Sequence, residues 1–411
     1  MLKRIAVTEL RLGMFVQEFC GSWMEHPFWR TSFSLHDGKD LDAILASSIK
    51  EVWIDSSKGL DVGQDAVAID PVESNARAEA ELLDSAVSRG LPTRVPAAQE
   101  LERASSICRE SKRAVMSMFE EARLGKAVDV AGARELVEDI SASVTRNPGA
   151  LISLARLKSA DDYTYMHSVA VCAMMVALAQ QLELDESLMR SIGLAGLLHD
   201  LGKAVIPHEI LNKPGKLTDA EFAIMKNHPV RGHAMLLGNA ESDPIALEVC
   251  LHHHEKTDGS GYPEQLNDQQ ISLYSKMGAV CDVYDAITSN RPYKTGWDPS
   301  ESLRKMAEWS AGHFDLRVFH AFVKSLGIYP VGSLVRLTSG LIGVVTEQSQ
   351  QSLTVPTVKV FYSTKSDLRI PPREIDLSSP ACSDRIMHRE DPAHWRFADL
   401  NELWSGIPSH W

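Results

Sequence analysis

The sequence is uneven in the residues that can do chemistry. Of its 15 histidines, eight fall between positions 167 and 254, several beside an aspartate. A single histidine in a helical pattern is ordinarily a packed or surface residue. Clustering on this scale, with aspartates close by, points instead to a metal site. Imidazole and carboxylate ligands without cysteine suit Fe(II), Mn(II) or Zn(II) more than a structural zinc. The doublet His199-Asp200 ends the apolar run "MRSIGLAGLLHD", and Gly202 breaks the helix behind it. Lys203 follows one turn later, where an ammonium could stabilise charge on a transferring phosphoryl group. His228 lies in "KNHPVRGHAM". His253 and His254 lie in "LHHHEKTDGSGYP", where Gly259 and Gly261 allow close approach of backbone to a phosphate. Asp282 and Asp285 in "AVCDVYDAITSNRPYK" are three apart and share a helical face. Their flanks Val280, Val283, Ala286 and Ile287 are apolar, which disfavours a solvated stripe. A second doublet, "HDGKD" at 36–40, stands in a strand-rich segment with Asp-Gly as a hairpin signal and is read as a turn.

The elements that would position these residues fall into four stretches. Residues 1–70 alternate short apolar runs ("RIAVTEL", "MFVQEF", "EVWID") with turn signals, giving a small strand-containing domain. Residues 71–148 read as a helical connector, interrupted by the two prolines of "RGLPTRVP". Residues 149–328 carry helical periodicity throughout and contain the cluster. Residues 329–411 turn to β-branched alternation ("GSLVRLTSGLIGVVTEQ", "SLTVPTVKVFYS") and then an irregular tail with tryptophans. The expected fold is therefore mainly α, with a small N-terminal strand-containing domain and a small C-terminal β subdomain. The aromatic-rich "GSWMEHPFWRTSF" at 21–33 is read as core packing.

Composition bounds the function. A formal charge of −13 argues against polymeric nucleic acid as a partner. It leaves a small anionic substrate open, since local lysines and arginines outweigh a distant field beyond a Debye length of roughly 8 Å. The start "MLKRIAVTEL" has no apolar signal region, and "SVAVCAMMVALAQQLEL" at 168–184 is broken by polar residues, so no membrane span and a cytoplasmic location are expected. The six cysteines form no CxxC pair and are expected to be reduced, with Cys172, Cys250 and Cys281 as small buried hydrophobes.

In order, His167, "HDLGK" at 199–203, His228, "HHEKTDGSGYP" at 253–263 and "DVYDAITSNRPYK" at 282–294 resemble the HD-GYP family, a branch of the HD phosphohydrolases that hydrolyses cyclic di-GMP. The likeness spans about 150–326, and the N-terminal 130 or so residues resemble a small domain of unresolved role found ahead of some members. It implies an HD-type helical bundle with metal ligands His167, His199, Asp200, His228, His253, His254 and Asp282, Asp200 bridging two ions, either Fe or Mn. It implies substrate contacts from Lys203, Tyr262, Asp285, Arg291 and Lys294, with Asp200 and Lys203 catalytic. Two such ions lower the pKa of a bridging water from ~15.7 to near 7, and the resulting hydroxide would open the ring to pGpG and then GMP. Arg291 suits bidentate phosphate contact and Lys294 a point charge. His208, His233, His252 and His313 fall outside the motifs and are read as packing or surface residues. Some members bind a third metal through a Glu at the position held here by Tyr163, a poor ligand, so two metals are expected. The family also suggests a diguanylate cyclase-type protein partner at the GYP loop. Two other readings stay open: an HD phosphohydrolase acting on another nucleotide, and a weakly catalytic cyclic-dinucleotide receptor.

Overall fold

The computed structural model describes residues 1–21, 32–47, 49–63, 66–85, 95–157, 163–213, 215, 217–239, 241–289 and 296–407. The chain opens with β1 (Leu2–Ala6), β2 (Phe15–Phe19), β3 (Phe33–Ser34), α1 (Gly38–Leu45) and β4 (Glu51–Asp55). They form an antiparallel sheet in the order β1-β4-β2-β3. Its apolar residues Ile5, Met14, Val16, Leu35, Ile44, Val52 and Ile54 make a separate small core. The "HDGKD" doublet lies here, and the hairpin expectation is corrected. Asp37 is the N-cap of α1, its carboxylate accepting from Lys39 N at 2.9 Å. Most of the aromatic segment 21–33 lies outside the described residues.

Next come α2 (Pro71–Ser85), α3 (Ala97–Arg123), α4 (Val130–Arg146), α5 (Pro148–Arg156), α6 (Tyr163–Gln181) and α7 (Glu186–Leu198). A 3-10 turn (Leu201–Val205) leads to α8 (His208–Leu211), α9 (Asp219–Met225), α10 (His228–Leu237), α11 (Pro244–His252), α12 (Leu273–Thr288), α13 (Pro299–His313) and α14 (Leu316–Leu326). Several starts are written locally. Asn147-Pro148, Asp243-Pro244 and Asp298-Pro299 each place a capping side chain before a proline in the first turn. Helix α6 is buried on all sides from Met166 to Ala179, so it forms the centre of the bundle rather than a surface layer. Helices α3 and α4, expected as a connector, pack into this same core through Cys108, Phe119, Val137 and Ile140.

The C-terminal part holds β5 (Leu334–Leu337), β6 (Leu341–Glu347), β7 (Thr357–Ser363), β8 (Leu368–Asp376) and β9 (Ile386–Arg389), an antiparallel sheet in the order β8-β7-β6-β5-β9. One face closes its own small core, while Leu334, Ile342, Val344 and Phe361 join the helical core. The tail is less irregular than its composition suggests. It forms α15 (Pro392–Trp395) and α16 (Leu400–Ser405), and Trp404 is buried in the main core.

The N-terminal sheet docks on the helical region by polar contacts. Arg4 donates to Glu308 O at 2.9 Å and Lys305 to the Glu18 carboxylate at 3.1 Å. Lys50 pairs with Asp258, which lies in the loop after α11.

Candidate metal centre

Five elements converge on one buried centre. Helix α6 brings His167, the end of α7 brings His199 and Asp200, α10 opens with His228, α11 ends into His253 and His254, and α12 carries Asp282 and Asp285. The α7–α10 junction is unusually close. A Cβ on Gly202 would stand 1.9 Å from His228 O and 2.5 Å from Gly232 N. Only glycine lets these two backbones meet, and that contact sets Asp200 beside His228.

Asp200 lies at the middle. Its Oδ2 is 3.4 Å from both His167 Nε2 and His199 Nε2 and accepts from Lys203 Nζ. Its Oδ1 faces His228 Nε2 at 3.2 Å and His253 Nε2 at 3.8 Å. On one side, Asp282 Oδ1 is 3.0 Å from His167 Nε2; on the other, Asp282 Oδ2 is 3.7 Å from His254 Nδ1. The donor atoms of His167, His199 and Asp282 lie within 4.8 Å of one another, as do those of His228, His253 and His254. Asp200 stands between these groups.

The far side of each ring fixes its tautomer. His199, His228 and His253 direct Nδ1 to the carbonyls of Gly196, Met225 and Val249 at 2.8, 2.8 and 3.0 Å, and His167 directs Nδ1 to Asp285 Oδ2 at 2.7 Å. A neutral imidazole whose Nδ1–H is so engaged presents a lone pair at Nε2, as His228 and His253 do, whereas His167, set between carboxylates, frees its Nε2 only by losing a proton. Those Nε2 atoms face each other at 3.3 Å (His167, His199) and 3.4 Å (His228, His253), and buried Asp200 Oδ1 and Asp282 Oδ2 have no hydrogen bond. At His228, His253 and Asp200 Oδ1 acceptors are turned on acceptors in a buried space, which a shared cation resolves, so these residues fit divalent metal.

The electrostatics agree. Burial would raise the Asp200 carboxyl, but Lys203, His199 and His167 hold it well below the usual carboxylate range. Burial likewise opposes ionisation of Asp282, and His167, His254 and His199 overcome it. Burial and neighbouring imidazoles keep His253 neutral, down at about 3, and His254 well below its ordinary value, while burial also lowers His228. His167 goes the other way. Burial pulls it down, yet Asp200, Asp282 and Asp285 together push it up to about 10.

The residues expected to contact substrate divide. Tyr262 is brought to the site, its ring stacked on His254 at 4.7 Å. Lys203 reaches Asp200 and is partly exposed. Asp285 is buried and meets His167 Nδ1 at 2.7 Å, where it supports that ligand candidate. Arg291 and Lys294 lie outside the described residues. Tyr163, at the position where some family members are expected to carry a third-metal Glu, stacks on His167 with ring centroids 5.5 Å apart. Gly261 serves the loop's own backbone: its Cβ would meet Glu255 Cα and Lys256 N at 2.5 Å. Buried Glu255 was not singled out from sequence. It accepts from the backbone of Glu264, Gln265 and Leu266 at 2.7, 3.1 and 3.0 Å and so anchors the loop. Its position directly after the His253-His254 pair was the available signal. Lys226, 5.3 Å from the Tyr262 ring centroid, was also passed over. His252 sits between Glu248 and Glu264, away from the centre, as its place outside the motif suggested.

Residues 142–318 match the HD domain family, and residues 2–133 match a domain of unknown function, DUF3391. The chain is 55% identical over 408 residues to a cyclic di-GMP phosphodiesterase of Pseudomonas aeruginosa, covering 99% of this chain and 96% of that one. It belongs to the HD-GYP family. It is also 39% identical over 189 residues to a cyclic di-GMP phosphodiesterase of Vibrio cholerae, across 42% of this chain and 38% of that one. A 3'3'-cGAMP-specific phosphodiesterase of the same species is 35% identical over 168 residues, with 40% and 38% covered. No helix among the described residues is long and apolar enough to cross a membrane.

Proposed function

We propose that this HD-GYP protein hydrolyses cyclic di-GMP, opening it to pGpG and cutting that on to GMP. The observation that carries the reading is the convergence of His167, His199, His228, His253, His254, Asp200 and Asp282 on one buried centre, in a chain alike over nearly its whole length to a cyclic di-GMP phosphodiesterase. His167, His199 and Asp282 would hold one divalent ion, and His228, His253 and His254 a second, with Asp200 shared between them. Oxygen and imidazole ligands without sulfur favour Fe or Mn. Such ions supply Lewis-acid stabilisation of phosphate oxygens and a lowered water pKa.

The chain's own groups do the rest. Lys203, held by Asp200 and partly open to solvent, supplies positive charge where a phosphodiester oxygen gains negative charge. The Tyr262 ring over His254 forms one wall for the substrate. Asp285 orients His167 and sharpens its basicity. Arg291 and Lys294 take further phosphate contacts by family resemblance. Residues 149–328 carry this chemistry, with the N-terminal domain touching the substrate loop through Lys50 and Asp258. The diguanylate cyclase-type partner rests on the family resemblance alone. A cytoplasmic location accords with six cysteines that form no disulfide among the described residues.

The test is metal content and turnover on one anaerobically purified sample, with cyclic di-GMP and 3'3'-cGAMP as parallel substrates and products separated by chromatography. About two Fe or Mn per chain with pGpG and GMP from cyclic di-GMP is the expected result. Bound metal with no product from cyclic di-GMP overturns it.

A further inference from the structure

A further ammonium stands beside the metal centre. Lys226 follows α9 directly, two residues before His228, and is exposed. Its Nζ lies 4.8 Å from the ring centroid of Phe222 on α9 and 5.3 Å from that of Tyr262 in the loop after α11. Tyr262 is itself stacked on His254 at 4.7 Å. His254, Tyr262 and Lys226 therefore lead in two short steps from a metal-ligand candidate to an exposed positive charge. Aromatic ring faces attract a cation, so two rings from different elements keep this long side chain near Tyr262.

The rings leave its charge uncompensated. Among the described residues no carboxylate lies within 4.0 Å of the Lys226 ammonium. Glu221, on the neighbouring helix, is engaged elsewhere: its Oε2 accepts from Thr218 N at 2.7 Å and from Lys213 Nζ at 2.5 Å. Lys203, by contrast, is already paired with Asp200. Cyclic di-GMP carries two phosphodiesters, and only one at a time can be cut at the metal centre. The other lies farther along the substrate, beyond the Tyr262 wall, and a compact ammonium is suited to meet it.

We propose that Lys226 binds the phosphate that is not being cut: the second diester of cyclic di-GMP in the first cleavage, and the terminal phosphomonoester of pGpG in the second. This role rests on the reading of cyclic di-GMP as substrate. The two cleavages differ in charge. A diester carries a single negative charge and a phosphomonoester about 1.5 to 2 at pH 7, so the second cleavage leans on Lys226 more than the first. Lys226 thereby helps decide whether the reaction stops at pGpG or runs on to GMP.

The experiment is steady-state kinetics of the metal-loaded full chain, wild type against K226M and K226R. The substrates are cyclic di-GMP, pGpG and bis(para-nitrophenyl) phosphate, a diester with a single phosphate. For K226M the expected result is a KM raised about tenfold on cyclic di-GMP, the loss of one charge-assisted contact, and raised further on pGpG, which accumulates. Metal content and KM for bis(para-nitrophenyl) phosphate should match wild type, and K226R should recover most of the loss. Equal KM for cyclic di-GMP in wild type and K226M overturns the phosphate contact. A K226M defect of the same size on bis(para-nitrophenyl) phosphate also overturns it, because Lys226 would then act through the placement of Tyr262 or His228. Equal losses on cyclic di-GMP and pGpG, with no accumulation, would put the ammonium on a base and overturn it as well. A wild type that hydrolyses bis(para-nitrophenyl) phosphate but not cyclic di-GMP is a separate failure: it removes the substrate reading, and the role of Lys226 falls with it.

Discussion

Metal loading of this chain should release a proton, and the release should come from His167. Both ring nitrogens of His167 face carboxylates: Asp285 at 2.7 Å from Nδ1, and Asp282 and Asp200 at 3.0 and 3.4 Å from Nε2. Burial opposes a charge there, but the carboxylates win and push the group up to about 10. A metal needs the Nε2 lone pair, so the proton must leave. At pH 7 the gap is about three pH units, which at ~1.4 kcal/mol each costs ~4 kcal/mol of binding free energy and lowers apparent affinity about a thousandfold. His228, His253 and His254 are already neutral and should add nothing. The assay is calorimetric titration of chelator-treated protein with Mn(II) at pH 7 in buffers of differing ionisation enthalpy. The slope should give about one proton per chain, and between pH 7 and 9 affinity should rise about tenfold per unit. In D285N one of the three carboxylates is lost, so the released fraction at pH 8 should fall and the pH dependence flatten. No proton release at pH 7, with affinity independent of pH, would refute the reasoning, because His167 would then be neutral among its three acids.

The same groups predict a stability optimum for the metal-free chain near pH 6.5. From there to about pH 10 the folded state keeps a His167 proton that the unfolded state loses, so stability should fall by up to ~1.4 kcal/mol per pH unit. Below pH 6.5 the unfolded chain protonates His228, His253 and His254 while the fold resists, so stability should fall again on acidification. Denaturant titrations of chelated protein that show stability climbing steadily from pH 6 to 9 would contradict this. Gly202→Ala should cost about 3 kcal/mol and strip the metal, since its Cβ would stand 1.9 Å from His228 O; retained metal and an unchanged denaturation midpoint would show the junction to be softer than drawn. Lys50→Glu should raise KM about fivefold with kcat and metal content near wild type, and Lys50→Arg should restore it, because the Lys50–Asp258 pair steadies the loop whose Tyr262 covers His254. Equal KM values across the series would detach the N-terminal domain from substrate binding.

How much of this was legible beforehand depends on the range of the interaction that decides each feature. Helix starts at Asn147-Pro148, Asp243-Pro244 and Asp298-Pro299 are local and could be read off directly. So could the all-α texture of the central region and the β texture after Pro330. The Asp37-Gly38 pair shows the limit of local reading, since the same dipeptide that turns a hairpin also caps a helix when the residues after it are good helix formers. For the site, residue types and order were enough to gather the ligand candidates, because imidazole and carboxylate advertise their chemistry. What residue types and spacing alone could not show, although the family resemblance separates Asp282 from Asp285, is which carboxylate meets which nitrogen of His167. Asp282 and Asp285 share one helical face, and spacing treats them alike. They are separated by α6, which crosses α12 so that His167 directs Nε2 to Asp282 and Nδ1 to Asp285. That distinction is a property of a helix–helix crossing between residues more than a hundred positions apart, and no window of sequence contains it. The Glu255 anchor and the Lys50–Asp258 contact were hidden for the same reason. Each is an ordinary charged residue until the fold supplies its partner.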